Sequence, residues 1–418
     1  MRMSRSSPNR LDLAIVFAVA VIANFTYFFF SSGDFYFPDS FTYLAPAKSF
    51  LHGAGFLDLF GHPDTVRTPG YPLLLVLFGA HPLPIIILQH LGNVALAVAI
   101  YLFVSSRTGS RLMAMVASLL FALDVPTIHN ANKILSETLF TVLLYGVFVL
   151  TLQKRRLPLI ALLAGALVLV RPIALFYFVP LAIVLAIWGV SKRQLALFVA
   201  IAIALPAGWA VRNHVRTGAF TVSSIGSMNL LAHRAAGALA IEDEGDDFKK
   251  DLNDEQNGLQ DDADDIVQKA LHVEDAQDLP VAIRAPYYSS YAMHIIAQHP
   301  VAFVELTIRG LLVNLFDSDW EAVAIESSLS PEIIRLAVSA VPVIVFAFAT
   351  VGAIDLWRRD RALALMIVIT VVYFIGISAG SEAEARFRVP VIPQLAIAAA
   401  AGVAAVRRGI TSRAAANS

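Results

Sequence analysis

The segment Leu11–Phe30 reads LDLAIVFAVAVIANFTYFFF, and its length and composition indicate the fold class. A helix needs roughly 20 apolar residues to cross the hydrocarbon core of a bilayer, and this segment is a run of that size. The rest of the chain has the same character, because 57% of its 418 residues are hydrophobic, 15% are charged and the mean hydropathy is +0.69. This composition excludes a water-soluble domain and predicts an all-α polytopic membrane protein.

Nine further segments have a similar length and hydropathy, so we predict about ten transmembrane helices, with juxtamembrane helices on the exported side. The third and fifth segments are the short ones, and both are interrupted by proline. The predicted spans are 11–30, 83–105, 112–126, 134–152, 157–170, 172–190, 195–211, 332–356, 362–380 and 389–406.

Basic residues cluster between the predicted spans and near both ends of the chain. Cytoplasmic loops collect Lys and Arg, and with ten spans all of these clusters fall on one side of the membrane. We therefore predict that both termini are cytoplasmic. The clusters are Arg2/Arg5/Arg10, Arg107/Arg111, Lys154/Arg155/Arg156, Lys192/Arg193, Arg358/Arg359/Arg361 and Arg407/Arg408/Arg413.

A cleaved secretory signal is the alternative interpretation of the N-terminal region. A basic stretch, Arg2–Arg10, precedes an apolar core, as in such signals. The core is as long as a membrane span and no small-x-small cleavage site clearly follows it. We therefore favour an uncleaved first span.

The predicted topology divides the chain into three parts. Residues 1–211 form an N-terminal transmembrane module with an exported loop at 31–82, residues 212–331 form an exported segment, and residues 332–418 form C-terminal transmembrane helices. The absence of cysteine excludes disulfides, thiolate metal sites and thiol catalysis. The absence of a nucleotide-binding glycine loop argues against an ATP-driven pump.

The exported segment contains two contrasting stretches. Between Glu242 and Asp278 there are 15 Asp and Glu against 3 Lys, which predicts a solvated, mobile acidic loop. The stretch Ala285–Leu315 has aromatic and aliphatic residues at helical spacing, with charges at Glu305 and Arg309. This pattern predicts a helix that lies along the membrane surface.

The residues that follow the first span, FPDSFTYL at 37–44, place a carboxylate where a membrane helix emerges into water. We predict a short amphipathic helix at about 40–51, ended by Gly53 and Gly55. Asp39 is then the N-cap, whose carboxylate accepts hydrogen bonds from backbone amides. A carboxylate at this place can also act as a catalytic base, and the two roles are compatible.

Arg67 lies in the segment HPDTVRTPGYP at 62–72, whose prolines and glycine fix a turn back toward the membrane. A guanidinium is a planar fork of donors that matches phosphate, so Arg67 is a candidate anion ligand. Snorkelling of Arg67 to lipid headgroups is the alternative.

Six short motifs occur in order along the chain, on the predicted exported side. They are Pro38–Leu44 (PDSFTYL), Arg67–Pro72 (RTPGYP), Ser136–Leu139 (SETL), Arg171–Pro172, Arg212–His214 with Thr217–Phe220 (TGAF), and Arg386–Pro390 (RFRVP). Together they resemble the GT-C class of membrane glycosyltransferases, which includes protein O-mannosyltransferases and lipid A aminoarabinose transferases. The resemblance covers residues from about 10 to 408, and each motif is weak alone.

This resemblance implies the transfer of one sugar from a polyprenyl-phosphate carrier to a glycan, lipid or protein acceptor, with inversion at the anomeric carbon. It implies a multi-pass protein of the bacterial cytoplasmic membrane, among membrane lipids, with its active site facing the periplasm and no nucleic-acid partner. It also implies that Asp39 acts on the acceptor. Many members have a second acidic residue soon after this position, whereas this chain has Ser40, which argues against a protein mannosyltransferase.

The residues present suit this chemistry. A base must take the proton of the acceptor hydroxyl, and cations must stabilise the charge that grows on the leaving phosphate. Asp39 can be the base, and Arg67, Arg386 and Arg388 can be the cations. An ordinary set of salt bridges with the glutamates of the same loop is the alternative for Arg386 and Arg388.

Other polar residues are expected to support the site. Glu137 lies near the outer end of a span, where an ionisable group is a functional candidate, although it could pair with Lys133 instead. Arg171 faces the site or terminates a helix. The expected supporting residues are Tyr43, His62, Asp64, Glu137, Arg171, Asn213 and His214. We expect no cofactor and no metal, although a divalent cation is compatible with the chemistry.

A transporter or lipid flippase is the competing function, because it would also have about ten spans and intramembrane charges. Transporters often have paired halves with broken helices. Here the polar residues are concentrated instead in two exported loops and one large exported segment. We therefore favour the glycosyltransferase.

Overall fold

The structure, a computed structural model, describes residues 9–31, 33, 35–154, 156–242, 247–318 and 331–416. The predicted basic residues Arg2, Arg5 and Arg155 lie outside the described residues. So do positions 243–246 of the acidic run and 319–330 of the exported segment.

The described part of the chain is all-helical, as predicted, and has no β-strand. Short 3₁₀ turns at Pro172–Ala174, Ala276–Asp278 and Ala385–Val391 and a π-helical turn at Leu230–Ala235 connect some of the helices. The α-helices are α1 (Arg10–Phe30), α2 (Pro38–Leu51), α3 (Gly70–Leu77), α4 (Pro82–Thr108), α5 (Arg111–Ala122), α6 (Val125–Ala131), α7 (Glu137–Gln153), α8 (Leu157–Val170), α9 (Phe178–Ile187), α10 (Lys192–Thr217), α11 (Ile225–Asn229), α12 (Ala236–Glu242), α13 (Phe248–Leu271), α14 (Val281–Gln298), α15 (Pro300–Phe316), α16 (Pro331–Arg359), α17 (Arg361–Ile377) and α18 (Ile392–Ala416).

Five helical stretches in the described residues are long and apolar enough to span a membrane: Arg10–Phe30, Pro82–Thr108, Lys192–Thr217, Val338–Arg359 and Ala385–Ser412. Two bent pairs, α5 with α6 at 49° and α14 with α15 at 101°, raise the number to seven if each pair is one span. The apolar helices α7, α8 and α17 and the stretch Pro172–Ile187 have only 10–17 residues each. Multiple candidate spans are thus present, and the number ten stays a prediction.

Local sequence sets the ends of the long helices. Helix α4 begins at Pro82, which suits the first turn because an N–H would have no intrahelical partner there. It ends before Gly109, whose φ of 67° is left-handed and favours glycine. Helix α10 begins with a capping box, in which Ser191 and Gln194 bond to each other's backbone amides.

The C-terminal stretch is the most buried of the spanning helices and packs closely against α16. A Cβ on Gly352 would lie 1.8 Å from the carbonyl oxygen of Ala398, and one on Gly402 would lie 2.0 Å from that of Phe348. Only glycine fits at both positions, so the two backbones touch directly.

The prediction of a mobile acidic loop at 242–278 is wrong for most of its length. Residues 248–271 form the 24-residue helix α13. Leu259, Ala263 and Val267 recur at helical spacing and are buried on one face of α13, next to α14. This apolar stripe orders the segment, while most of the carboxylates point outward.

The prediction of one continuous helix at 285–315 is also wrong, because α14 and α15 meet there at 101°. Its position along the membrane surface stays a prediction. Pro300 begins α15, and a residue before proline is disfavoured in the helical region. His299 accordingly has φ of −120° and ψ of 52°, outside the helical region. The break follows from the single dipeptide His299–Pro300.

Ion pairs join helices at the C-terminal end of α4. Arg107 donates from Nε and Nη2 to the two carboxylate oxygens of Asp360, at 2.7 and 3.0 Å. Asp360 also accepts a hydrogen bond from the backbone N–H of Leu363 and is the N-cap of α17. This pair fastens α4 to the start of α17.

Candidate functional site

A cavity of about 450 Å³ lies where the first loop, the turn after α8 and the loop before α18 meet. Its wall combines charged and apolar side chains from segments far apart in the sequence. The charged residues that line it are Asp39, Arg67, Arg171, Arg234, Glu382 and Arg386. Four of the six sequence motifs therefore contribute directly to one cavity.

Asp39 lies in the first turn of α2 and is not the N-cap that we predicted. Phe37 is the N-cap, because Pro38 is well suited to the first helical position and starts the helix there. Ser40 fixes this start, since its hydroxyl accepts a hydrogen bond from the Phe37 N–H and donates one to the carbonyl of Ile134. The Asp39 carboxylate is thereby directed to the cavity.

Two arginines bind the Asp39 carboxylate. Arg67 donates from Nη2 to Oδ1 at 2.7 Å, and Arg386, 347 residues away in the chain from Asp39, donates from Nη1 to Oδ2 at 2.8 Å. Burial acts to raise the pKa of Asp39, but the charges and hydrogen bonds of Arg67 and Arg386 outweigh it and lower that pKa to about 2. The carboxylate is therefore ionised at neutral pH and, while both contacts last, it is a weak base.

Arg67 is anchored by several groups besides Asp39. Its Nε donates to the Thr42 hydroxyl at 2.8 Å, and its guanidinium lies 4.4 Å from the ring centroid of Tyr43. Its backbone N–H donates to Oδ1 of the buried Asp64. The side chain is only 14% exposed, so Arg67 points into the protein and does not snorkel to lipid headgroups.

Arg386 is the centre of the ion-pair network. Its Nε lies 2.6 Å from Glu384 and 3.7 Å from Glu137, in addition to the contact with Asp39. The guanidinium also lies over the rings of Phe37 and Phe387, at 4.7 and 5.2 Å. The salt bridge with a glutamate of the same loop thus exists, together with the contact that joins Arg386 to Asp39.

Glu137 and Arg171 form the buried floor of the network. Glu137 begins α7 and its side chain is 2% exposed. Arg171 ends α8 as its C-cap residue and forms an ion pair with Oε1 of Glu137. Arg171 therefore both terminates a helix and faces the site. The Glu137 carboxylate of this pair also lies 3.7 Å from Nε of Arg386.

Two expected residues of the first loop shape the loop and do not line the cavity. Asp64 is buried and accepts hydrogen bonds from the backbone amides of Val66 and Arg67. Burial raises the pKa of Asp64 to about 6, against the opposing effect of these hydrogen bonds. His62 lies farther out, with Nδ1 3.9 Å from the carboxylate of Asp58.

Asn213 and His214 also have structural contacts outside the cavity. Asn213 is buried and donates to the carbonyl of Thr221, and His214 pairs through Nδ1 with the carbonyl of Gly218. Both contacts close the turn after α10. The neighbouring Arg212 donates to the carbonyl of Asp64, so this motif braces the first loop.

Arg388 lies apart from Arg386, although only one residue separates them. Its Nη atoms donate to the carbonyls of Asn314 and Asp317. It lines a different, mostly apolar cavity of about 500 Å³ between α5, α16 and α18. The structure therefore does not bring Arg388 to the Asp39 carboxylate.

His233, Arg234 and Glu382 line the cavity but were not among the expected site residues. Arg234 donates to Glu382 at 2.7 Å. His233 and Glu382, with Arg386, also line a second cavity of about 710 Å³. The π-helical turn contacts residues 381–382, which lie 148 residues farther along the chain. The sequence offers only a weak signal for this contact, the opposite charges of Arg234 and Glu382.

Metal ligands are not clustered in the part of the chain that the structure describes, where no group of three or more His, Cys, Asp or Glu could hold an ion. The Asp39 carboxylate is bound by guanidiniums instead. Neither protein-family models nor curated proteins match this chain.

Proposed function

We propose that the protein is an inverting glycosyltransferase, which moves a sugar from a polyprenyl-phosphate carrier to an acceptor hydroxyl in the Asp39 cavity. The observation that carries the proposal is the position of Asp39 between Arg67 and Arg386 on the cavity wall. A carboxylate base and the cations that a leaving phosphate needs are then in one place.

The proposed step transfers one proton and one glycosyl group. The acceptor oxygen attacks the anomeric carbon while its proton passes to the Asp39 carboxylate. The bond from the anomeric carbon to the phosphate oxygen breaks, and its electron pair stays on that oxygen. Arg67 and Arg386 stabilise the new negative charge, because bidentate guanidinium–phosphate contacts are strong in a partly buried site.

The neighbouring carboxylates favour inversion over a double displacement. A covalent glycosyl intermediate needs a second carboxylate with access to the anomeric carbon. Glu137 is 2% exposed and paired with Arg171, and Glu382 is paired with Arg234. Of the two carboxylates that line the cavity, Asp39 is the more exposed, at 34% against 12% for Glu382.

The surroundings of the cavity suit a lipid-linked donor. Ile173, Leu175 and Phe176 line it, and Phe176 is 59% exposed, so an apolar chain can lie beside the charged cluster. We assign the reaction to the outer face of a bacterial cytoplasmic membrane, with a glycan, lipid or protein acceptor. The predicted distribution of Lys and Arg supports this orientation.

The test is sugar transfer by the purified protein in nanodiscs. A panel of polyprenyl-phosphate sugars is supplied with membrane extracts as the source of acceptor, and labelled product is measured for wild type and Asp39→Asn. We expect transfer from at least one donor and a loss of about 10²–10⁴-fold in the variant, the usual contribution of a general base.

Asp360→Asn is the matched control, because it alters another arginine-paired aspartate outside the cavity. We expect its transfer rate to equal that of wild type. Transfer that is absent with every donor would contradict the proposal and favour transport of an anionic lipid. Transfer that is equal in Asp39→Asn and wild type would contradict the role of Asp39 as the base.

A further inference from the structure

Every guanidinium on the wall of the Asp39 cavity already has a carboxylate partner. The pairs are Arg67–Asp39 (2.7 Å), Arg386–Asp39 (2.8 Å), Arg386–Glu384 (2.6 Å), Arg171–Glu137 and Arg234–Glu382 (2.7 Å). Four guanidiniums thus face four carboxylates, and the cluster has no formal surplus of positive charge. An anionic phosphate that enters the cavity meets repulsion unless one carboxylate gives up its place.

Asp39 is the carboxylate that can leave. Of the two carboxylates that line the cavity, Asp39 is 34% exposed and Glu382 is 12% exposed. Glu137 is 2% exposed, and Glu384, at 39%, is not among the residues that line this cavity. Asp39 also has a short side chain, and it lies in the first turn of α2, where Phe37 and not Asp39 is the N-cap. The hydrogen bonds that hold its carboxylate come from Arg67 and Arg386, which are the groups a phosphate would bind.

The two arginines stay in position without Asp39. Arg67 keeps its contacts to the Thr42 hydroxyl and to the Tyr43 ring and hydroxyl. Arg386 keeps its ion pair with Glu384 and its aromatic neighbours. The guanidiniums therefore form a fixed platform, and the carboxylate on it is replaceable.

We infer that the phosphate of the donor lipid takes the place of Asp39 on Arg67 and Arg386, so that donor binding itself releases Asp39 to act as the base. This inference rests on the proposed function. In the empty site two cations hold the carboxylate and make it a poor proton acceptor. Once the phosphate has neutralised those cations, Asp39 regains its basicity, and water is not activated before the donor arrives.

Binding of a simple phosphate diester tests this exchange without any sugar transfer. The probe is farnesyl methyl phosphate, which carries one negative charge at neutral pH, and its Kd is measured by calorimetry with wild type and Asp39→Asn. We expect the variant to bind the probe at least tenfold more tightly, because the competing carboxylate is gone. Farnesol, which lacks the phosphate, should bind both proteins equally.

Glu382→Gln separates exchange from a general loss of negative charge. It removes the same charge from the same cavity wall, but from Arg234. We expect its Kd for the probe to change by less than threefold, and Asp360→Asn to leave the Kd unchanged. An unchanged or higher Kd in Asp39→Asn, or an equal gain in Glu382→Gln, would overturn the inference.

Asp39→Ala carries the same prediction if the Asn variant does not fold into a monodisperse protein. The two proposals fail separately. Tighter binding by Asp39→Asn with no sugar transfer by wild type would keep the exchange and remove the glycosyltransferase. Transfer by wild type with no gain in phosphate affinity would do the reverse.

Discussion

Two of the protein's aspartate–arginine clusters, Asp360 with Arg107 and Asp39 with Arg67 and Arg386, differ in geometry. The guanidinium of Arg107 donates to both carboxylate oxygens of Asp360. In contrast, one oxygen of Asp39 accepts a hydrogen bond from Arg67 and the other accepts one from Arg386. In the first arrangement two donors of one guanidinium bind one carboxylate. In the second, one carboxylate joins two guanidiniums, each through one donor.

The two aspartates also differ in what else holds them. Asp360 is an N-cap residue, and its carboxylate also accepts a hydrogen bond from the backbone N–H of Leu363. Asp39 lies on a cavity wall, and its helix is capped at Phe37. The comparison teaches that the Asp360 pair fastens helices, whereas we propose that the Asp39 cluster exchanges its carboxylate for an anion.

Of the changes that compare these two regions, Arg386→Lys should have the largest effect, because an ammonium cannot hold Glu384 and a phosphate together as a planar guanidinium does. We expect sugar transfer to fall by about 10²–10³-fold, as for the loss of one donor to a developing anion. Arg107→Lys is the matched change in the other region and should leave transfer unchanged. Equal transfer rates in the two variants would break the comparison.

Glu137→Gln tests whether the floor of the cluster is structural. The change breaks the ion pair of the buried Glu137 with the half-buried Arg171 and should lower the free energy of unfolding by about 3 kcal/mol. Reversible unfolding in mixed micelles measures the difference. Glu384→Gln is the control. That carboxylate is 39% exposed, so its loss should lower the free energy of unfolding by less than about 1 kcal/mol.

Asp64→Asn extends the comparison to an aspartate whose hydrogen bonds come from backbone amides. Because the pKa of Asp64 rises from 3.8 to about 6 on folding, wild type should lose stability as pH rises through that interval. Asparagine keeps an acceptor oxygen for Val66 and Arg67 without a charge.

At pH 7.5 we expect Asp64→Asn to have a higher Tm than wild type, with a free energy of unfolding larger by at most about 3 kcal/mol. Near pH 3.8 the two proteins should have equal Tm values. Thermal unfolding at the two pH values measures this. A gain of the same size at both values would contradict the role of ionisation.

Asp360→Asn should have the smallest effect. Asn caps a helix almost as well as Asp, and the Asp360–Arg107 pair is 25% exposed on each side, so we expect a loss of about 1 kcal/mol or less. Unfolding in mixed micelles measures this loss. A loss as large as that of Glu137→Gln would show that exposure does not separate the two regions.

Much of the site could be predicted from sequence because its residues lie at the ends of apolar segments. Asp39, Arg67, Glu137, Arg171 and Arg386 were expected, and the structure brings them into one network. The apolar periodicity located the helices, and the charges between them located the network. The reaction itself stays a prediction.

Three of the expectations that failed did so for the following local physical reasons. Pro38 starts α2 earlier than the apolar pattern indicated, which moved the cap to Phe37. The 3₁₀ turn at 385–391 has three residues per turn, so positions two apart point in different directions and Arg388 leaves the site. The stripe of Leu259, Ala263 and Val267 outweighed the charge of the acidic run.

The contacts of His233 and Arg234 could not be predicted from sequence. They depend on how the π-helical turn at Leu230–Ala235 packs against the loop at 381–382, some 148 residues farther along the chain. No periodicity or short motif encodes such a distant contact. Their place on the cavity wall follows from tertiary packing alone.

The most direct test of the central claim is a single-turnover measurement with the donor already bound. Wild type and Asp39→Asn are loaded with a polyprenyl-phosphate sugar, acceptor is added, and formation of the glycosidic bond is followed in time. We predict that bound donor persists in the variant while bond formation slows by about 10²–10⁴-fold. Bond formation at the wild-type rate in Asp39→Asn would contradict the assignment of Asp39 as the base.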